Sequence, residues 1–190
     1  LERRQKASSL IHSPAVTAVE DKQAFAEMVR EALYTGKIIA YAQGFSLMQD
    51  ASHRFGWNLD LGTIASIFRA GCIIQAEFLN DITKAFLKDP ELESLVFDGF
   101  FLSRINRYQE NLRKTTGLAV SSGLPVPAFF NAVSYLDSFR AKASGANLIQ
   151  AQRDYFGAHT FERVDELRGQ FFHENWTGHG GDTKSGTYNV

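Results

Sequence analysis

From Lys22 to about Phe55 the chain runs without a proline, and its apolar residues return at helical spacing: Phe25, Met28, Val29, Ala32, Leu33, Ile39, Ala40, Tyr41 and Phe45. That stretch is long for one helix, and it constrains everything around it. Gly36 and Gly44 lie inside it, where glycine costs helix stability unless a close neighbour uses the missing side chain. The spacing therefore predicts a buried helix crossed by a partner. Glu20 and Asp21 supply an acidic start, and Gly56-Trp57-Asn58 breaks the pattern.

The flanking segments continue the helical theme. Leu1 to Ile11 reads as a basic amphipathic end, with Arg3, Arg4 and Lys6 on its polar side and the His12-Ser13-Pro14 turn closing it. Asp60 is placed to cap a helix from Leu61 to Phe86, whose middle is apolar nearly all round and so predicts a central core helix. Arg69 and Glu77 are the charges in that middle, and they suit a structural pair or a rim better than catalysis. Asp89-Pro90-Glu91 combines a cap, a proline at the first helical position and an acid in the first turn, which predicts a short helix to Phe97. Asp98 opens another through Ser121. The turn Gly123-Leu124-Pro125-Val126-Pro127 feeds a helix from Ala128 to about Ala143, and Ser144-Gly145 separates it from the stretch that begins at Ala146. A mixed segment ending in Phe171-Phe172-His173 fits a short hairpin with Arg168-Gly169 at its turn. Only 4 prolines interrupt these segments, and strands do not alternate with helices. The fold class expected is all-α: a multi-helix domain over residues 1–176 and an extended, glycine-rich tail over 177–190 with no core-forming pattern.

Bulk properties narrow the partners. At 190 residues, with 44% hydrophobic and 22% charged, the chain suits one folded domain rather than a disordered segment. A net charge of −1 leaves no electrostatic footprint for nucleic acid or an anionic membrane. The single cysteine, Cys72, excludes an internal disulfide framework and fits a reducing, cytoplasmic setting. No apolar run approaches a membrane span, and the N-terminus is unlike a signal peptide, so the Asn175-Trp176-Thr177 sequon carries little weight. The chain opens at Leu1, without methionine and inside what reads as the polar end of a helix, and is expected to be a piece of something longer.

Chemistry concentrates in one block, Ala-Asn-Leu-Ile-Gln-Ala-Gln-Arg-Asp-Tyr-Phe-Gly-Ala-His-Thr-Phe, from Ala146 to Phe161. Arg153 carries a permanent charge on a planar fork of donors that matches carboxylate or phosphate oxygens. His159 hydrogen-bonds or carries charge near neutral pH. Gly157 between them permits a backbone conformation that ends a helix, so the two side chains need not share a helical face. Together they describe an anion-binding corner. Spacing alone favours a blander reading, an ordinary helix terminus with Arg153 paired to a carboxylate.

Other constellations carry less. Gly178 to Ser185 matches a phosphate-cradling loop except at Thr183, but it lacks the strand before and the helix after that such a loop requires. His173 and His179, with Glu174 and Asp182, lack helical ligand spacing and a nearby thiolate, so no metal is expected. Cys72 falls in an apolar helical run, where a neutral core thiol is the default. Neither a serine elbow nor a GxGxxG fingerprint occurs, so no catalytic residue is assigned within the chain. Trp176, Tyr188 and the glycines around them either stay disordered or dock on a neighbouring chain.

With these residues laid out, the whole chain resembles the all-helical C-terminal domain of the decarboxylating 6-phosphogluconate dehydrogenase family. The pieces that carry the likeness are Tyr41-Ala42-Gln43-Gly44-Phe45, Phe68-Arg69-Ala70-Gly71-Cys72-Ile73-Ile74, the Gly123 to Pro127 turn, the block from Ala146 to Thr160, and Asn175-Trp176-Thr177-Gly178-His179-Gly180-Gly181. The resemblance implies a homodimer whose N-terminal Rossmann domain binds NADP. It implies oxidation of 6-phosphogluconate at C3, then loss of CO2 to give ribulose 5-phosphate, a step of the pentose phosphate pathway. It also implies that Arg153 and His159 reach the partner subunit's active site, with Arg153 on the terminal phosphate. The tail is implied to cross the partner near its cofactor through Ser185, Gly186, Thr187 and Tyr188.

Two departures from the family pattern stand out. Ala143-Ser144-Gly145 replaces a customary leucine–proline pair, and Lys-Ser-Gly-Thr-Tyr stands where relatives often carry a serine run. The family's Rossmann fold, catalytic lysine and glutamate would lie upstream of Leu1, so this chain alone is expected to be inactive. The competing reading is a non-catalytic helical dimerisation or interaction module. An upstream nucleotide-binding domain would separate the two.

Overall fold

Asp21 caps the long helix as the sequence leads one to expect: its carboxylate accepts the amides of Gln23 and Ala24, each at 2.9 Å. In the computed structural model, which describes residues 1–176, this is the second helix of seven among the described residues. α1 spans Glu2–Leu10 and α2 spans Lys22–Phe55, ending on Gly56 in the left-handed region (φ 66°). α3 is Leu61–Ile67, α4 is Leu79–Lys88, α5 is Gly99–Ser121 and α6 is Pro127–Arg140. α7 covers Ala146–Gly157, and a two-stranded antiparallel hairpin follows, β1 Phe161–Glu162 with β2 Phe171–Phe172. The chain divides into two units, Leu1–Asp137 and a second beginning at Ser138.

The first unit is built on α2. Its buried face, including Ala32, Ile38, Ile39, Ala42 and Phe45, packs chiefly against α5, which contributes Phe101, Ile105 and Leu112. The phenylalanines explain the core's character. Phe78 meets Tyr34, Tyr41 and Phe101 edge-on at centroid distances of 5.6, 5.3 and 5.9 Å, and Phe45 stacks on Phe86 at 5.5 Å. Such offset and edge contacts add to the area each ring buries. Arg113 of α5 grips Asp137 of α6 through two hydrogen bonds of 2.8 and 2.6 Å. Asn111 bonds Glu31, a further tie between α5 and α2.

The two glycines of α2 part company. A side chain at Gly36 would meet the Phe129 ring of α6 at 3.6 Å, an ordinary van der Waals distance, so no close backbone crossing makes glycine necessary there. Nothing lies within 4 Å of a side chain placed at Gly44. It opens instead onto an apolar groove of about 340 Å3 with Tyr41, Met48, Phe68 and Ile74 on its walls.

Three expectations fail for identifiable reasons. The helix expected from Leu61 to Phe86 is two helices. Asp60 caps the first through the Thr63 amide (3.0 Å), but α3 stops at Ile67, and Gly71 takes a positive φ of 69°. A helix apolar all round needs neighbours all round. Here Ile73 is fully exposed and Ile67 is mostly so, and the chain reverses instead. Cys72 accordingly sits half-buried in that connection rather than in a helix. Arg69 donates to Asn80 at 2.6 Å and not to Glu77.

The start signal at Asp89 does form its bond, the Glu91 amide donating to Asp89 at 3.2 Å, but no α-helix follows. Leu92, Leu95 and Val96 are all buried, and a 3-10 turn over Leu95–Phe97, opened by Ser94, brings them to the core. Finally, α1 buries none of its residues, so it has no apolar face in use.

Candidate functional site

The second unit takes its shape from an aspartate that sequence inspection passes over. Asp154, on the last turns of α7, is fully buried, and its carboxylate gathers donors from well beyond the helix. Oδ1 accepts the Thr160 amide at 3.0 Å and meets His173 Nδ1 at 2.9 Å; Oδ2 accepts the Glu174 amide at 3.0 Å and Trp176 Nε1 at 2.8 Å. Since an ionised carboxylate only accepts, the His173 ring donates here. Burial works against the charge, but the Glu174, His173, Trp176 and Thr160 donors outweigh it and bring the carboxyl from its ordinary 3.8 down to about 2. Of the residues weighed in sequence as metal ligands, the His173 ring is committed to Asp154, while Glu174 reaches it through its backbone amide only; His179 and Asp182 lie outside the described residues. A signal for Asp154 exists in the sequence. An acid near a helix C-terminus opposes the macrodipole, and such a residue needs donors from elsewhere.

The end of α7 is also arranged differently from expectation. Gly157 is not the residue that turns the chain. Ala158 adopts the left-handed conformation (φ 49°), its amide bonding the Asp154 carbonyl at 2.8 Å, and Thr160 follows at φ 61°. Gly157 is there for space: a Cβ on it would lie 3.0 Å from His159 Nε2. The imidazole rests over the glycine, so the block's glycine serves His159 rather than the helix end.

Arg153 and His159 line one cleft of about 680 Å3, together with residues of the hairpin and its turn. Two other arginines share it. Arg163 is held by Asp165 through bonds of 2.9 and 2.5 Å, and Arg168 by Glu162 at 3.1 Å. Glu162 also accepts the Gly169 amide at 2.6 Å, which with Arg168 keeps its carboxyl below the usual range, and Gly169 makes the turn at φ 85°. The hairpin expected around Arg168-Gly169 is therefore present, with Phe161 opposite Phe172.

Arg153 differs from its neighbours. It donates to the neutral amide of Gln150 at 2.7 Å, and among the described residues no carboxylate pairs with it. The helix terminus with Arg153 paired to an acid is not what forms. Chemically, the cleft offers an exposed guanidinium with unspent charge and a histidine on the same wall, an arrangement suited to an anionic, hydroxyl-bearing ligand. Ser185, Gly186, Thr187 and Tyr188, and the P-loop-like run from Gly178, lie outside the described residues.

Comparison with known proteins shows the family. The family model for the 6-phosphogluconate dehydrogenase C-terminal domain matches residues 1–176. The decarboxylating 6-phosphogluconate dehydrogenase of Lactococcus lactis is 53% identical over 175 residues, which is 92% of this chain and 37% of that protein. The rat enzyme of the same description is 48% identical over 190 residues, 100% of this chain and 39% of its own length. Among solved structures, the chain superimposes on Plasmodium falciparum 6-phosphogluconate dehydrogenase with a TM-score of 0.84 and 38% identity, over 92% of this chain and 38% of that one. That enzyme is described in its apo form and in complexes with its cofactor NADP+ and its substrate 6-phosphogluconate. The chain spans about two-fifths of the length of the relatives it matches. It is similar to their helical portion in sequence and in fold, and it belongs to the 6-phosphogluconate dehydrogenase family, matching the C-terminal domain.

Proposed function

We propose that this chain serves as the C-terminal domain of an NADP-dependent, decarboxylating 6-phosphogluconate dehydrogenase, with Arg153 and His159 as its substrate ligands. In the reaction, 6-phosphogluconate is oxidised at C3, the resulting β-keto acid loses CO2, and ribulose 5-phosphate is released as NADP+ is reduced. The observation that carries the reading is the state of Arg153, which among the described residues has no carboxylate partner, in a cleft where Arg163 and Arg168 are each paired with one. A phosphate monoester supplies what Arg153 lacks, since its oxygens take both prongs of the guanidinium. His159 then donates to or accepts from a neighbouring substrate oxygen.

Residues 1–176 form the helical domain in this reading, and residues 177–190 a tail that lies on a partner subunit, with Ser185 to Tyr188 near its cofactor. The described residues contain no strand–glycine turn–helix unit of the kind that cradles a dinucleotide pyrophosphate, so no step involving NADP+ is assigned to them. The chemistry the cofactor supplies is hydride acceptance, on groups outside residues 1–176. The pairing proposed is a homodimer in which Arg153 and His159 of one subunit complete the pocket of the other. Exposed Leu148, Ile149, Tyr155 and Phe156 on α7 support that reading, because the described residues leave so apolar a helix side uncovered.

The test is Arg153→Ala in the enzyme that carries this domain. A charge-assisted hydrogen bond is worth about 1.5–3 kcal/mol, so the Michaelis constant for 6-phosphogluconate is expected to rise at least tenfold. That for NADP+ is expected to stay within twofold. Equal constants for wild type and variant would overturn the assignment of Arg153.

A further inference from the structure

Resting on the reading of His159 as a substrate ligand, we propose that Asp154 is the positioning residue of this site, setting where the His159 ring stands. The argument begins with the backbone around that histidine. His159 is flanked by Ala158 and Thr160, two non-glycine residues with positive φ, at 49° and 61°. Conformations of that kind persist only where surrounding contacts over-determine them. Two contacts hold this backbone, one from the main chain and one from the side chain of Asp154. The Ala158 amide makes the closing i→i−4 helical bond to the Asp154 carbonyl at 2.8 Å, whereas the Thr160 amide bonds the Asp154 carboxylate at 3.0 Å, and only the second depends on the side chain. The loop bearing His159 is therefore tied, just past the histidine, to the side chain of the residue next to Arg153.

The same carboxylate reaches the end of β2 through His173 and Glu174, and Trp176 beyond it. Four donors converge on a fully buried group that makes no contribution to the cleft surface. A buried carboxylate satisfied in this way is rigid, since moving it leaves four donors unpaired in a dry environment. Neither Arg153 nor His159 bonds Asp154, so it does not act on a ligand directly. It acts by fixing the register between the last turn of α7, which carries Arg153, and the strained loop, which carries His159.

The deciding experiment is a double-mutant cycle between Asp154→Asn and His159→Ala in the full dehydrogenase, reading Michaelis constants for 6-phosphogluconate and NADP+ separately. Asparagine keeps the shape but turns an amide NH2 toward donors, so the loop loses this tie. Asp154→Asn is expected to raise the 6-phosphogluconate constant about tenfold and to leave that for NADP+ within twofold. In the His159→Ala background the same change is expected to cost less than threefold, because there is no longer a ring to misplace.

Additive effects, or equal losses for both ligands, would overturn the role of Asp154 while leaving the substrate assignment intact. A His159→Ala variant with an unchanged 6-phosphogluconate constant would instead sink the assignment of His159 itself. Should Asp154→Asn not accumulate as folded protein, Asp154→Glu takes its place in the cycle. It retains the charge and the acceptors but displaces them by a methylene, and the same selectivity and non-additivity are expected of it.

Discussion

The imidazole of His159 rests on the bare Cα of Gly157, so close that a methyl group there would lie 3.0 Å from Nε2. The glycine's conformation is ordinary helix, so what it supplies is room rather than backbone freedom. Gly157→Ala is accordingly expected to dissociate stability from function. Alanine is the better helix former by about 0.8–1 kcal/mol, so thermal stability is expected to hold or rise slightly. The ring, meanwhile, has to move. In the full dehydrogenase the Michaelis constant for 6-phosphogluconate is expected to increase severalfold, with that for NADP+ unchanged. A variant with wild-type kinetics would show that the ring's place over Gly157 is immaterial.

Acid gives a second handle on the same block. The Asp154 carboxyl is held at about 2 in the folded chain against an ordinary 3.8. A depressed folded pKa contributes stability that is fully present above the unfolded value and is lost as pH falls through the folded one. The window is thus from about pH 4 down to about pH 2, and the contribution is roughly 2 kcal/mol. Urea titrations of wild type and Asp154→Asn across that range are expected to converge as pH falls, with the gap widest above pH 5. A gap independent of pH would mean that the carboxylate's charge is not what holds the loop.

How much of this was legible beforehand depends on whether local signals had to compete with packing. The α2 helix and its Asp21 cap, the Asp60 and Asp98 caps and the hairpin at Gly169 rest on short-range chemistry and appear where their residues announce them. The expected helix through Cys72 fails because a run of Ile, Cys and Phe says that a segment is apolar without saying which side is covered. Ile73 is fully exposed, and Gly71 takes the turn. The same limit hid Asp154. Its donors at 160, 173, 174 and 176 are brought to it by the hairpin, and no spacing rule connects them. Arg153 and His159 were visible as a pair of residue types, but their shared cleft, and the neutralisation of Arg163 and Arg168 within it, needed the fold.

The turn after α5 is a place where one atom too many is expected to be felt. Gly123 has φ of 71°, and a Cβ on it would lie 2.9 Å from Pro14 Cδ and 3.3 Å from Cγ. Left-handed backbone costs an ordinary residue about 1–2 kcal/mol, and displacing a proline ring adds to it. Gly123→Ala is therefore expected to lower stability by about 1–3 kcal/mol, read as a lower urea midpoint at unchanged slope. Cutting the chain back to begin after Pro14 is expected to recover part of that loss. A neutral Gly123→Ala would contradict both the left-handed backbone at this turn and the packing of Pro14 upon it.

Exposed apolar surface sets the last expectation, which concerns assembly. Leu148, Ile149 and Phe156 on α7 are each more than half exposed, at 76%, 57% and 74%. Large side chains gathered on one open helix face are a liability for a monomer and ordinary for an interface. Light scattering at micromolar concentration is expected to return twice the 21.2 kDa mass of the chain. Ile149→Asp is expected to shift that mass toward the monomer, since an unpaired charge cannot be desolvated cheaply at the centre of a contact. Its effect on 6-phosphogluconate turnover in the full dehydrogenase distinguishes two arrangements. If Arg153 and His159 serve the partner's pocket, activity is expected to fall with dimer content and to recover as protein concentration rises. Activity that persists in a population shown to be monomeric would place both residues in their own subunit's site.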